Sequence, residues 1–255
     1  MLRKKFFPAF WKTAVNNCLC LLAATFIVVQ IVSAAELTSI DIGDAANTAG
    51  ETKLENGKYT ITGSGNDIWG TADGCRFVYM ELSGDFVASV QITYFERYKQ
   101  WTKAGIMARQ SNDPGSKNAL STAAAGNVPG PDLGVQLTWR QETNGETKEL
   151  DYWELSGPTG FNDGEWIRLT RLGSDFSASW SIDGNDWVDD YATVTVEMTD
   201  PILVGLTVVS LDTGYASKAV FENLKITRPD GTSLFPTAVH PGYKIATSWG
   251  FLKSR

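Results

Sequence analysis

Glu149, Asp151 and Glu154 set three carboxylates in one short stretch, Glu149-Leu150-Asp151-Tyr152-Trp153-Glu154. Two carboxyls about 5 Å apart can serve as nucleophile and acid/base in retaining glycoside hydrolysis, with a third tuning the pair. Backbone geometry makes this conditional. On a regular strand Glu149 and Asp151 share a face with Trp153, which leaves Glu154 on the other side. A bulge near Tyr152-Trp153 would return Glu154 to the first face. An acidic strand in an acidic protein is the competing account. Other chemistries fall away, because the one histidine, His240, sits in a Pro-bounded tail. Residues 36–228 therefore lack a Ser-His-Asp or Cys-His site and a His-ligated zinc or iron centre.

A second kind of chemistry is binding. Trp69, Trp101 and Trp153 stand in turns or amid charged neighbours, where an indole can stack on the apolar face of a sugar ring. Gln136, Thr138, Arg140 and Arg109 could bond its hydroxyls. Lys103 could do so too, unless it is a solvated strand end. Trp139, Trp166 and Trp180 fit the core pattern and are read as packing. Asp67 and Asp73 flank Trp69 and could hold calcium, or they could staple a turn by bonding their own backbone. No organic cofactor is expected. Cys75 reads as a small buried hydrophobe.

These residues need a rigid frame, and the pattern supplies strands. Phe86, Ala88, Val90, Ile92 and Tyr94 alternate with Ser89, Gln91 and Thr93. Val135, Leu137 and Trp139 alternate with Gln136, Thr138 and Arg140. Phe176, Ala178, Trp180 and Ile182 alternate with Ser177, Ser179 and Ser181. A one-residue slip would turn each apolar set to water, so the registers are well specified. Asn144-Gly145, Gly173-Ser174-Asp175 and Asp183-Gly184 read as hairpin turns. Ile202 to Val209 is apolar on both faces, as in a covered central strand. No helical periodicity follows the N-terminus, so the expectation is an all-β domain.

The ends bound the domain. Arg3, Lys4, Lys5 and Lys12 precede an apolar run from Cys18 to Val32, and Ser33-Ala34-Ala35 offers a cleavage site. Residues 1–35 therefore read as a signal peptide or an uncleaved anchor. Val15-Asn16-Asn17 before Cys18 does not suit a lipoprotein site. The chain has 22 basic and 29 acidic side chains; without the four basic ones before Glu36, 18 stand against 29, a formal charge of −11. That surface repels nucleic acid and anionic lipid but not neutral polysaccharide. With Cys18 and Cys20 removed, Cys75 has no disulfide partner. Residues 229–255, with Pro229, Pro236 and Pro241, read as a linker and short tail.

Several segments resemble one family. Asp41-Ile42-Gly43, Gly65-Asn66-Asp67-Ile68-Trp69-Gly70, Leu82-Ser83-Gly84-Asp85 and Trp101-Thr102-Lys103-Ala104-Gly105-Ile106-Met107-Ala108-Arg109 resemble the regulation-of-enolase-protein domain, DUF1349. So do Trp166-Ile167-Arg168-Leu169-Thr170-Arg171, Ser181-Ile182-Asp183-Gly184 with Trp187, Val204-Gly205-Leu206 with Ser210, and Phe221-Glu222-Asn223-Leu224. The likeness runs in order from about Ile40 to Thr227. It lapses at Ala123 to Pro131 and at Glu149 to Leu155. It implies a two-sheet antiparallel jelly-roll sandwich of the concanavalin A-like class over 36–228. Ser181 to Trp187 also resembles an Asp-box hairpin, a structural turn. The Glu149-x-Asp151-x-x-Glu154 spacing resembles that of laminarinase and lichenase glucanases, which would make Glu149 nucleophile, Asp151 the assisting group and Glu154 acid/base. Their flanking glycine and tryptophan signature is absent.

A fold of this kind can bind sugar, cut it or space other domains. The expectation is an exported non-catalytic carbohydrate-binding or adhesion module, secreted, periplasmic or on the cell surface, with polysaccharide or glycoconjugate as partner. The alternatives are a laminarinase-type hydrolase and a structural or protein-interaction sandwich.

Overall fold

The computed structural model describes residues 37–126, 134–151, 160–188 and 193–234, with Asp151 known by its backbone alone. All lie in the unit Ser33–Arg255. The expected signal segment, the tail from residue 235 onward, Trp153 and Glu154 lie outside the described residues.

The described strands form two seven-stranded antiparallel sheets and one small hairpin. The front sheet contains β1 (Thr38–Ile42), β6 (Cys75–Leu82), β8 (Lys103–Arg109), β9 (Asn118–Ala124), β10 (Gly134–Arg140), β11 (Thr147–Asp151) and β15 (Ile202–Val209). Its order is β1-β6-β15-β8-β9-β10-β11. The back sheet contains β2 (Glu51–Glu55), β3 (Lys58–Gly65), β7 (Phe86–Phe95), β12 (Trp166–Leu172), β13 (Asp175–Ser181), β14 (Thr193–Thr195) and β16 (Asp212–Thr227). Its order is β14-β13-β12-β7-β16-β3-β2. The hairpin is β4 (Ile68–Trp69) with β5 (Ala72–Asp73).

The main core lies between the sheets, where alternation put it. Phe86, Ala88, Val90 and Ile92 on the back sheet meet Ala104, Ile106, Val135, Leu137 and Leu206 on the front. Chain crossing from sheet to sheet makes this an all-β sandwich consistent with a jelly roll. β15 is buried along its whole length, as its two-faced apolar run required. One face meets the core; the other joins a second apolar cluster with Ile68, Phe77, Met107 and Leu120. Cys75 is fully buried there, and burial pushes its thiol up to about 12, which suits a packing role.

Three expectations need correction. The register of β7 against β16 shifts between Val220 and Phe221, so Tyr94 turns to solvent and Phe95 takes the core position. That is the effect of one extra residue in an antiparallel pair. Ile182 lies beyond the end of β13 and is exposed. Trp166 belongs to the outer face of the back sheet; a Cβ on Gly184 would stand 2.6 Å from its ring.

The Ser181 to Trp187 turn is built as a structural hairpin. Asp183 Oδ1 accepts from the Asn185 and Asp186 amides and from Ser181 Oγ. Trp187 Nε1 donates to the Gly184 carbonyl, and the Arg168 guanidinium covers its ring. The two amides hold the Asp183 carboxyl down to about 2. A depressed carboxyl contributes stability above its unfolded value near 4, and loses it as pH falls towards 2. Acid titration of an Asp183→Asn variant should therefore show a smaller loss of stability between pH 4 and 2 than the parent; an identical loss would contradict this assignment.

Candidate functional site

The outer face of the front sheet carries Lys103, Met107 and Arg109 on β8, Asn118, Leu120 and Thr122 on β9, and Gln136, Thr138 and Arg140 on β10. Alternation sends these away from the core. Sequence patterning alone would leave them wet, yet most are fully buried. The β4–β5 hairpin folds across them and supplies the cover.

What pins the hairpin is a buried ion triad. Asp73 Oδ2 accepts from Arg109 Nη1 at 3.2 Å and from Asn118 Nδ2 at 3.0 Å, and Oδ1 accepts from Arg140 Nη2 at 2.6 Å. All three charged side chains are at zero exposure. Charges this deep persist only when their remaining donors are also satisfied. Arg140 donates further to the carbonyls of Trp69, Gly70, Pro114, Ser116 and Gly145 and to Thr147 Oγ1. Arg109 donates to the carbonyls of Ser111 and Asp113. Gly65 enters the hairpin at φ 117°, and a Cβ there would meet the Gly74 carbonyl oxygen at 2.1 Å. Only glycine fits that close approach.

Beside the hairpin lies a pocket of about 330 Å³ lined by Asp67, Trp69, Trp101, Lys103, Gln136 and Glu149. Trp69, 39% exposed, comes from β4. Trp101 comes from the turn before β8, where its backbone takes φ 70° and its amide donates to the Ala125 carbonyl. Such a conformation is uncommon for a bulky residue and costs on the order of 1–3 kcal/mol. Lys103 is 2% exposed; its ammonium sits 2.6 Å from Asp67 Oδ1 and 5.9 Å from the centre of the Trp101 ring. Asp67 Oδ1 also accepts from the Ile68 amide. Glu149 reaches the pocket from β11, paired with Thr138 on β10.

The expected site residues therefore divide. Trp69, Trp101 and Gln136 come together, and Glu149 joins them. Arg109 and Arg140 do not reach the pocket; their donors are spent on Asp73 and on carbonyls. Their role is to hold the hairpin, so their assignment to ligand is corrected. Thr138 is buried next to Gln136 and does not line the pocket. Trp153 lies outside the described residues. Lys103, weighed in the sequence as a hydroxyl partner, and Asp67, weighed as a calcium ligand or turn staple, also line the pocket. The reading of Lys103 as a solvated strand end is corrected, since it is buried at the head of a strand in which every residue is buried.

The other chemistries fare differently. β11 is regular from Thr147 to Asp151, with Asp151 opposite Gln136 and Glu149 opposite Thr138. The bulge that hydrolysis would need falls at residues outside the described ones, as does Glu154. The calcium reading of Asp67 and Asp73 does not hold, since Asp73 is enclosed by two guanidiniums and Asp67 pairs with Lys103. Among the described residues no group of three or more His, Cys, Asp or Glu could hold a metal.

No family model and no curated protein matches this chain. Solved structures do. A functionally unknown protein from Saccharomyces cerevisiae matches with a TM-score of 0.57 at 20% identity, over 76% of this chain and 97% of that one. The sandwich fold is shared with a known structure. A xylan β-1,4-xylosidase from Bacillus halodurans matches with a TM-score of 0.49 at 11% identity, over 69% of this chain and 37% of that one. The carbohydrate binding module CBM66 from Bacillus subtilis matches with a TM-score of 0.45 at 14% identity, over 76% of this chain and 98% of that one. Both scores lie under 0.5 and add nothing to the yeast match.

Removing one member of a buried ion cluster leaves the others uncompensated, at a cost of about 3–5 kcal/mol. Asp73→Asn should lose stability on that scale in chemical denaturation. Glu149→Gln, at an exposed side chain that lines the pocket, should lose much less. Equal losses would contradict the division into frame and site.

Proposed function

We propose that this protein is an exported, non-catalytic carbohydrate-binding or adhesion module of the regulation-of-enolase-protein-like class, with a concanavalin A-like sandwich. The observation that carries the reading is the composition of the pocket. It joins two tryptophans to an amide, a carboxylate and a lysine–aspartate ion pair on a rigid sheet. A pyranose offers an apolar ring face to the indoles and hydroxyls that both donate and accept. Gln136, Asp67 and Lys103 can match the hydroxyls in either sense. Ligand pockets of proteins commonly join aromatic walls to a few fixed polar groups; here two tryptophans meet four polar side chains. The acidic surface favours a neutral glycan, and the basic, apolar N-terminus favours export to a secreted, periplasmic or cell-surface location.

One observation favours a second reading. Glu149 lines the pocket, so a hydrolase would have its nucleophile in place.

A single experiment separates these readings. The protein is incubated with insoluble cellulose, chitin, xylan and β-1,3-glucan, and depletion and released reducing ends are read from the same tubes. Depletion by at least one polysaccharide without release is expected, and Trp69→Ala and Trp101→Ala should each weaken it by about tenfold. Release that disappears in Glu149→Gln would replace this reading by the hydrolase. Absence of both depletion and release would leave a structural or protein-interaction sandwich.

A further inference from the structure

The turn between β7 and β8 carries two sets of aromatic side chains. Trp101 enters the pocket. Three residues earlier, Tyr98 stacks on Tyr215 of β16, with ring centres 3.9 Å apart and planes within 16°. Tyr98, Tyr215 and neighbouring Tyr94 are exposed at 36%, 37% and 40%. Together they form an aromatic surface on the rim of the sandwich, outside the pocket. Apolar packing does not explain it, because the rings are solvated and interleaved with charge.

The charged groups there are fixed. Tyr215 donates its hydroxyl to Glu96 Oε1 at 2.6 Å, and Glu96 Oε2 accepts the Lys218 amide. Asp212 accepts from Lys99 Nζ and from the Tyr98 hydroxyl. Lys218 Nζ lies 4.9 Å from the centre of the Tyr94 ring. The rings are thus held in place by polar groups at their edges, a preorganised surface with little left to order on binding.

Beneath the surface, hydrogen bonds through buried groups tie this rim to the turn that carries Trp101. Asp212 pairs with Gly65, two residues before Asp67. Thr102, beside Trp101, donates its hydroxyl to the Ser210 carbonyl, and Ser210 Oγ lies within hydrogen-bond distance of the carbonyls of Asp212 and Tyr215, which share its one proton. Three residues span at most roughly 10 Å, and the turn is folded by a bond from the Thr102 amide to the Lys99 carbonyl. The Cα atoms of Tyr98 and Trp101 therefore lie within roughly 10 Å of each other.

We infer that Tyr98 and Tyr215 form a second subsite for the same glycan, which makes the ligand an extended neutral polysaccharide chain rather than a single terminal sugar. This inference rests on the carbohydrate-binding reading of the pocket. A chain with one ring between Trp69 and Trp101 runs over the rim, where the next rings lie along the tyrosines and meet Glu96, Asp212 and the lysines through hydroxyls. Tyrosines bordered by charge also occur in protein interfaces; nearness to the pocket is what assigns these rings to glycan.

The test is titration calorimetry with ladders of one to six units from β-1,4-glucan, β-1,3-glucan, β-1,4-xylan and chitin. Affinity should rise with length for at least one ladder. Tyr98→Ala and Tyr215→Ala should lower it by about five- to tenfold for the longer members and leave the shortest bound member unchanged. Tyr215→Phe, which keeps the ring and drops only the bond to Glu96, should retain most of the length dependence and guards against a misfolded alanine variant. Binding that depends on Trp101 but not on length, or is indifferent to both tyrosines, would overturn the second subsite and leave the pocket standing. No binding by any ladder would overturn both.

Discussion

The Asp73 carboxylate between Arg109 and Arg140 is the interaction on which the functional face depends. A sandwich needs only one buried face per sheet, yet here the front sheet is covered on its outer side as well. That second layer is a hairpin of four paired residues, Ile68–Trp69 with Ala72–Asp73, too short to be stable alone. It stays because Asp73 plugs two arginines that would otherwise be buried charges without a counter-ion. Each arginine in turn gathers carbonyls from the turns around it. The ion triad converts a mobile element into a wall, and Asp67 and Trp69 are carried on that wall.

The pocket then draws on several distant parts of the chain. Asp67 and Trp69 come from the hairpin, Trp101 and Lys103 from the entry to β8, Gln136 from β10 and Glu149 from β11. The sheet fixes three of these elements by hydrogen-bonded ladders, and the triad fixes the fourth. Trp101 takes a costly left-handed backbone where the chain passes from β7 of the back sheet to β8 of the front. That conformation sends Trp101 to the pocket while Tyr98 remains on the rim. Binding surfaces built on a rigid scaffold lose little entropy on association, which suits weak stacking contacts with sugars.

Much of the architecture was legible in the sequence, because period-two alternation is a local signal. Phe86 to Ile92, Val135 to Trp139 and the two-faced run from Ile202 to Val209 all sit as the pattern required. Tyr94 and Phe95 exchanged roles because a bulge depends on the partner strand, which local pattern does not contain. The site was legible only in part. The tryptophans singled out in turns include Trp69 and Trp101, which line one pocket. Arg109 and Arg140 looked like ligand-binding groups because each closes an apolar strand on its polar face. Their burial depends on a hairpin remote in sequence from both, so composition and spacing could not show that they serve Asp73 instead.

The central claim is that a sugar ring sits between Trp69 and Trp101, and the indole N–H resonances report on it directly. Each tryptophan gives one Nε1–H signal, assignable by single Trp→Phe replacements. Titrating with soluble oligosaccharides of the polysaccharide that depletes the protein should shift the Trp69 and Trp101 signals. Those of Trp166, Trp180 and Trp187, which serve the back sheet, should stay fixed. Movement of the back-sheet signals with Trp69 and Trp101 unchanged would contradict the account and place the ligand elsewhere on the sandwich.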